Sequence, residues 1–250
     1  MFSWEILIAI QTYLEGNYDN LEKMIIFNEA EHSYINSETG ERYTSVTQLI
    51  GQFEPEFDKE YHSKRVAQKE GVPQSMVLEM WDSIAKKAQD KGTLVHGILE
   101  KYIKTGECDM RVQFIIDSYN DCVRKEIGQY TAVSSEKLLY NDEWKVAGTA
   151  DLIYDMRDTF HIGDFKTNKR FRFRSQYNEY FLEPLNHLTI CEFNVYCIQL
   201  SMYAAMYEEL TKKKCSGLTV FYFEDKQWKP IHLNYMKFEA LRILQSRMHN

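Results

Sequence analysis

Three consecutive segments between residues 134 and 166 alternate apolar and polar side chains. They cover residues 134–140, 144–154 and 159–166, and only three and four residues separate them. A period of two is typical of β-strands. Connections this short join antiparallel neighbours, because parallel neighbours need a crossover of about a dozen residues or more. The pattern therefore predicts a three-stranded antiparallel unit.

Helical patterns surround this unit on both sides. We expect helices over 3–14, 46–53, 59–70, 75–90, 93–104, 110–127, 190–210 and 235–248, with Gly92 separating 75–90 from 93–104. Further strands are expected at 24–27, 33–36, 42–44, 218–224 and 227–233. This order predicts an α/β fold with a central mixed β-sheet flanked by helices. We expect a single domain over 1–250, with an N-terminal helical and hairpin elaboration (1–90), a core (91–233) and a C-terminal helix (234–250).

Composition narrows the class of protein. The chain is 44% hydrophobic but has no apolar run near the ~18 residues of a membrane span, so we expect no membrane protein. The first ten residues carry Glu5 and no basic segment, so we expect an amphipathic helix there rather than a signal segment. Five cysteines without a CxxC pair predict a cytoplasmic location and no iron–sulfur cluster.

The strongest chemical signal is Asp151 together with Asp164 and Lys166. Residues two apart on a strand share a face, so Asp164 and Lys166 should point the same way. A turn centred near 157–158 would put Asp151 opposite Asp164. Two adjacent carboxylates attract a hard divalent cation, and an ammonium can stabilise charge on a phosphoryl oxygen. The set predicts metal-assisted phosphodiester hydrolysis. Taken without Asp151, Asp164 and Lys166 could instead be an exposed surface ion pair. A glycosidase also uses two carboxylates, but it would not need Lys166 two residues from Asp164.

Three further features support this hypothesis. His96 opens the helix expected at 93–104 and could add a nitrogen ligand, while a solvated or indirect role fits Glu100 better than ligation. Gln199 and Tyr203 lie one helical turn apart and could bind phosphate or base, or else serve as surface and core residues.

The third feature is a basic segment directly after Lys166. It carries Lys169, Arg170, Arg172 and Arg174 among two phenylalanines, in a chain with a formal net charge of −7. That net charge argues against broad, non-specific duplex binding and leaves room for a local basic channel. The segment could equally be a solvated loop.

Together these motifs resemble the RecB-like branch of the PD-(D/E)XK nuclease superfamily, in particular phage exonucleases and the mitochondrial genome maintenance exonuclease. The order of motifs in that branch is matched here by His96 in GTLVHGILE, Asp151 in VAGTADLIYD, Asp164 and Lys166 in IGDFKTNK, and Gln199 and Tyr203 in QLSMY. The resemblance covers roughly residues 43–210.

The resemblance implies a restriction-endonuclease-like core and a Mg²⁺ or Mn²⁺ site. Its metal ligands would be His96, Asp151, Asp164 and the Phe165 carbonyl, with Lys166, Asp164 and Asp151 as catalytic residues. Gln199, Tyr203, Lys169, Arg170 and Arg172 would bind DNA.

The leading hypothesis is a metal-dependent DNA exonuclease acting on single strands or strand ends, in a bacterial or phage-infected cytoplasm. Its partners would be DNA and separate replication or recombination proteins. The alternatives are a catalytically silent nucleic-acid-binding module on the same fold and a structure-specific endonuclease.

Overall fold

The computed structural model describes residues 25–28 and 33–249, with side chains up to Arg247. The helix predicted over 3–14 and Met24, the first residue of the first predicted strand, lie outside the described residues. None of the described helices combines the length and apolar character needed to cross a bilayer.

Within residues 25–28 and 33–249, eight strands form one mixed sheet. They are β1 (Ile25–Asn28), β2 (Ser33–Asn36), β3 (Arg42–Ser45), β4 (Ala132–Asn141), β5 (Val146–Asp155), β6 (Thr159–Lys166), β7 (Lys214–Glu224) and β8 (Gln227–Leu233). Antiparallel pairs join β1 to β2, β2 to β3, β4 to β5, β5 to β6, and β7 to β8. The parallel pairs are β3 with β5 and β6 with β7.

The predicted antiparallel unit of β4, β5 and β6 is confirmed. Leu152 pairs with Gly163, a register that places Asp151 opposite Asp164. β4 pairs with β5 along the whole of one edge. On the other edge of β5, β3 pairs with residues 146–147 and β6 pairs with residues 152–155. Residues 148–151 of β5 therefore lie where the sheet opens between β3 and β6.

Helices cover both faces of the sheet. They are α1 (Val46–Gly51), α2 (Lys59–Glu70), α3 (Gln74–Thr105), α4 (Gln113–Glu126), α5 (Glu192–Thr211) and α6 (Lys237–Gln245), with 3₁₀ turns at Met110–Val112 and Ser246–His249. Leu152 packs with side chains of α3 and α4, whereas the next residue, Ile153, packs with those of α1, α5 and α6. The predicted α/β fold with a central mixed sheet and flanking helices is confirmed.

The predicted separation of two helices at Gly92 is wrong. The structure has one continuous helix of 32 residues, α3, which passes through Gly92 and ends before Gly106 in a left-handed conformation. A glycine inside a helix costs only about 1 kcal/mol relative to alanine, and burial of Val95 and Leu99 holds the C-terminal part of α3 on the sheet. The predicted boundary between residues 90 and 91 falls inside this helix.

Candidate active site

Asp164 and Lys166 end an otherwise apolar face of β6. Phe160 and Ile162 precede them in the core beside α5, and Asp164 Oδ2 lies 2.5 Å from Lys166 Nζ. Burial raises the pKa of Asp164 to about 6, with Lys166 opposing the shift and Asp151 adding to it. Burial alone would lower the pKa of Lys166, but the charges of Asp164 and Asp151 outweigh it and raise that pKa. The Lys166 ammonium is therefore paired with Asp164 and also lies in the field of the Asp151 carboxylate.

Asp151 crosses the gap between β5 and β6. Its Oδ2 accepts a hydrogen bond from the Phe165 backbone N–H at 2.8 Å. The side chain thus fixes the end of β6 at the place where the regular ladder with β5 stops. This bond keeps the carboxylate of Asp151 beside Asp164 and next to the carbonyl end of β6.

His96 reaches the same place from α3. Its Nε2 lies 3.0 Å from the Phe165 carbonyl oxygen, and its Nδ1 lies 3.5 Å from Asp151 Oδ2. A ring that donates through Nε2 leaves the lone pair of Nδ1 directed at the carboxylate. Glu100, one turn further along α3, pairs instead with Lys104 at 2.5 Å.

Glu136 is a site residue that the sequence analysis missed. Its Oε1 lies 4.0 Å from His96 Nδ1. Glu136 lies opposite Asp151, because the flanking pairs are Ser135 with Leu152 and Lys137 with Ala150. Its backbone is left-handed (φ 51°), which is uncommon for residues other than glycine. Burial, followed by the charge of Asp151, raises the pKa of Glu136 to about 7.

The position of the β4–β5 turn could have revealed Glu136. Asn141 pairs with Val146, which centres the turn between residues 143 and 144. The sequence pattern predicts that the first strand ends at 140 and the next begins at 144, which centres the turn near 142. That shift places residue 133, not Glu136, opposite Asp151.

His96, Glu136 and Asp151 form a donor set that fits a divalent metal ion. Each offers one ligand atom, and these atoms lie within 4.8 Å of one another. In the part of the chain that the structure describes, no lysine or arginine forms an ion pair with Glu136 or Asp151. Carboxylate oxygens suit Mg²⁺ and Mn²⁺, and an imidazole nitrogen adds affinity for Mn²⁺.

Gln199 and Tyr203 lie beneath the site rather than on its surface. Both are buried on α5. Burial raises the pKa of Tyr203, and a side-chain hydrogen bond with Gln199 opposes that shift. A Cβ added at Gly148 would lie 2.6 Å from Tyr203 Cε1, so Gly148 allows α5 to pack closely against β5. In this arrangement the Tyr203 ring is not available for stacking on a base.

The basic segment divides into exposed and paired side chains. Lys169 and Arg170 are exposed, and neither forms an ion pair with another described residue. The Arg172 guanidinium donates to both carboxylate oxygens of Glu192, at 2.7–3.0 Å, and to Gln176 Oε1 at 3.0 Å. Arg172 therefore holds its own loop to α5.

Tyr196 is the second residue that the sequence analysis missed. Lys166 Nζ lies 4.9 Å from the centroid of its ring, a cation–π distance. Tyr196 precedes Gln199 by three residues on α5, and this i, i+3 spacing was a signal available in the sequence. Its ring therefore packs against the one ammonium of the site.

Comparisons with known proteins leave the family open. No family model and no curated protein matches the sequence. Among solved structures, the chain is similar to a protein from Eubacterium rectale designated "Putative exonuclease", at 12% identity and a TM-score of 0.40, over 64% of each chain. It is also similar to a protein called SSO0001, at 14% identity and a TM-score of 0.34, over 82% of this chain and 74% of the other. The chain thus spans less than two thirds of the first of these structures.

Proposed function

We propose that this chain is a Mg²⁺- or Mn²⁺-dependent DNA exonuclease with a PD-(D/E)XK centre of the RecB-like type. One observation carries the proposal: the buried carboxylate of Asp164, paired with the partly buried Lys166, lies opposite Asp151, next to His96. The carboxylate of an ordinary surface ion pair would not be buried, and a binding module has no need for a second carboxylate beside such a pair.

The metal would be held by the residues around the end of β6. Asp151, Asp164, His96 and the Phe165 carbonyl form the set implied by the resemblance. Glu136 would be a further ligand, because its carboxylate lies close to His96 and Asp151. When bound, a divalent ion neutralises charge at the phosphate and lowers the pKa of a water molecule. These side chains would orient the ion and compensate its charge in a partly buried position.

Lys166 supplies a positive charge that is not a metal ligand. Its ammonium can donate hydrogen bonds to a non-bridging phosphate oxygen and to the attacking water, where negative charge develops. Asp164 and the Tyr196 ring hold the ammonium in place. Lys166 thus serves the transition state, and Tyr196 is a positioning residue.

The DNA strand would approach from the basic segment. Lys169 and Arg170 are exposed cations suited to phosphate contacts. Gln199 and Tyr203 organise the site from below, and Arg172 acts through the loop that it holds. The preference for single strands or strand ends rests on the family resemblance.

Digestion of a linear and a closed circular single strand of the same sequence tests this function. Each is incubated with Mg²⁺, Mn²⁺ or EDTA, using the wild type, the Asp164→Asn variant and Asp158→Asn as a matched control in an exposed turn. We expect metal-dependent loss of the linear strand alone, abolished only by Asp164→Asn.

The other outcomes separate the alternatives. Cleavage of the circle would make the protein an endonuclease. Binding of the strand without cleavage would support the catalytically silent module.

The remaining parts of the hypothesis stay predictions. They are the cytoplasmic location in a bacterium or phage-infected cell, the separate replication or recombination proteins as partners, and the absence of an iron–sulfur cluster.

A further inference from the structure

A cavity of about 350 Å³ opens beside the candidate active site. It lies between the start of α5 and the loop that follows β6, and its lining includes Tyr177, Glu179, Tyr196 and Glu54. Its volume is at the lower end of the range for ligand pockets, a size class suited to one planar base.

The Tyr196 ring joins this cavity to the active site. It lines the cavity, and it lies 4.9 Å from Lys166 Nζ. A group bound in the cavity would therefore be one side chain away from the ammonium that serves the scissile phosphate. That is the distance scale of neighbouring groups within one nucleotide.

Backbone and side-chain contacts hold the cavity open. Arg172 links Glu192 on α5 to Gln176 on the loop. The Glu179 backbone N–H donates to Ser175 Oγ at 3.0 Å, and its carbonyl accepts from the Ile190 N–H at 2.8 Å. These contacts tie the two walls of the cavity to each other and to α5.

The charges of the lining exclude a phosphate. The lining holds three carboxylates, Glu54, Glu179 and Glu192, and one guanidinium, that of Arg172, which is already paired with Glu192 and Gln176. In the described part of the chain, no cation forms an ion pair with Glu54 or Glu179. The cavity therefore offers hydrogen-bond acceptors to a ligand that brings N–H donors.

The lining also offers aromatic surface. Tyr177 is 72% exposed at the edge of the cavity, and Tyr196 forms part of its wall. Stacking on such rings is a common way to bind unpaired bases. Aromatic surface beside free acceptors matches a nucleobase that carries an exocyclic amino group.

We propose that this cavity is a base subsite of the nuclease centre, which takes one unpaired nucleobase with an exocyclic amino group from the strand that is cleaved. This inference rests on the proposed function. Glu54 and Glu179 accept from the amino group, and Tyr177 stacks on the ring. Cytosine and uracil separate these roles, because they have the same ring size and differ at the base-pairing edge.

Fluorescence anisotropy tests the subsite without cleavage. Fluorescein-labelled oligo(dC) and oligo(dU) of equal length are titrated with the full chain in EDTA at pH 8. We expect oligo(dC) to bind about tenfold more tightly than oligo(dU), as for a hydrogen bond to a charged acceptor. Equal affinities of the wild type would overturn the proposal.

Matched variants assign the effect to the cavity. Glu54→Ala with Glu179→Ala should bring the affinity ratio close to one, whereas Glu56→Ala with Glu183→Ala, which removes the same charge outside the lining, should keep it. Tyr177→Ala should weaken binding of both strands about fivefold or more, and Tyr180→Ala on the same loop should not. An unchanged ratio in the first double variant, or equal effects of the two tyrosine variants, would overturn the proposal.

The two proposals fail in different ways. If the proposed function is wrong, the wild type will not cleave DNA in Mg²⁺ or Mn²⁺. If the base subsite is wrong, the wild type will bind oligo(dC) and oligo(dU) equally, whether or not it cleaves DNA.

Discussion

At the scale of single residues, the site separates groups that bind metal from the group that stabilises charge. Lys166 contacts Asp164 and the Tyr196 ring, whereas His96, Glu136 and Asp151 face one another. The two roles can therefore be removed independently.

Lys166→Ala should lower turnover strongly and leave metal binding intact, because an ammonium is not a metal ligand. We expect kcat to fall about 10²–10³-fold, the usual effect of losing one transition-state donor. Steady-state cleavage and Mn²⁺ titration without DNA measure the two effects, with the exposed Lys86→Ala on α3 as the control. Loss of Mn²⁺ binding in Lys166→Ala would contradict the assignment.

Glu136→Gln should weaken Mn²⁺ binding about tenfold or more, because the variant removes one carboxylate charge from the donor set. Glu143→Gln, in the turn after β4, is the matched control and should bind as the wild type does. Isothermal titration without DNA gives both affinities. Equal affinities of the two variants would exclude Glu136 from the metal site.

His161 should make stability depend on pH. Burial, with a smaller contribution from His232, lowers its pKa to about 4 in the folded protein, against about 6.5 in the unfolded chain. The contribution of neutral His161 to the free energy of unfolding is therefore fully present above pH 6.5. It is lost as pH falls towards 4, and the total loss is up to about 3 kcal/mol.

The comparison with His161→Gln isolates this effect. Urea unfolding at pH 7 and pH 5 should show a smaller loss of stability in the variant than in the wild type. An equal loss in both proteins would show that other groups cause the pH dependence.

At the scale of elements, the close packing of β5 against α5 sets the position of Tyr203. Gly148→Ala should destabilise the protein by about 1–3 kcal/mol, because the new Cβ would lie 2.6 Å from the Tyr203 ring. Gly97→Ala on α3 is the control, since its Cβ meets nothing within 4 Å, and it should stabilise by up to about 1 kcal/mol. Urea unfolding of both variants checks the opposite signs.

The same scale shows which features could be predicted from the sequence. Short connections allow only antiparallel neighbours, so the β5–β6 register, and with it Asp151 opposite Asp164, followed from turn length. Glu136 was missed because an error of one to two residues in the β4–β5 turn changes the facing residue. The Gly92 break was wrong because tertiary packing outweighs one unfavourable helical residue.

At the scale of the whole molecule, an acidic protein would bind DNA through a small basic region. The net charge is −7, yet Lys169 and Arg170 are exposed next to the site. Burial of Gln199 and Tyr203 and pairing of Arg172 depend on tertiary contacts that local sequence patterns do not contain.

The salt dependence of DNA binding should report this region. Lys169→Ala with Arg170→Ala should reduce the slope of log K against log salt by about 1.4, because two phosphate contacts on a single strand are lost. Lys86→Ala with Lys87→Ala on the exposed middle of α3 provides a control of equal charge. If both double variants change the slope equally, the DNA path lies elsewhere.

The most direct test of the account follows metal occupancy and strand cleavage in one Mn²⁺ titration. Electron paramagnetic resonance measures bound Mn²⁺, and an end-labelled linear single strand in the same samples measures cleavage. We expect both to rise with the same midpoint in the wild type and to be lost together in Asp151→Asn. Full occupancy without cleavage, or cleavage that persists in Asp151→Asn, would contradict a metal-dependent nuclease centred on this site.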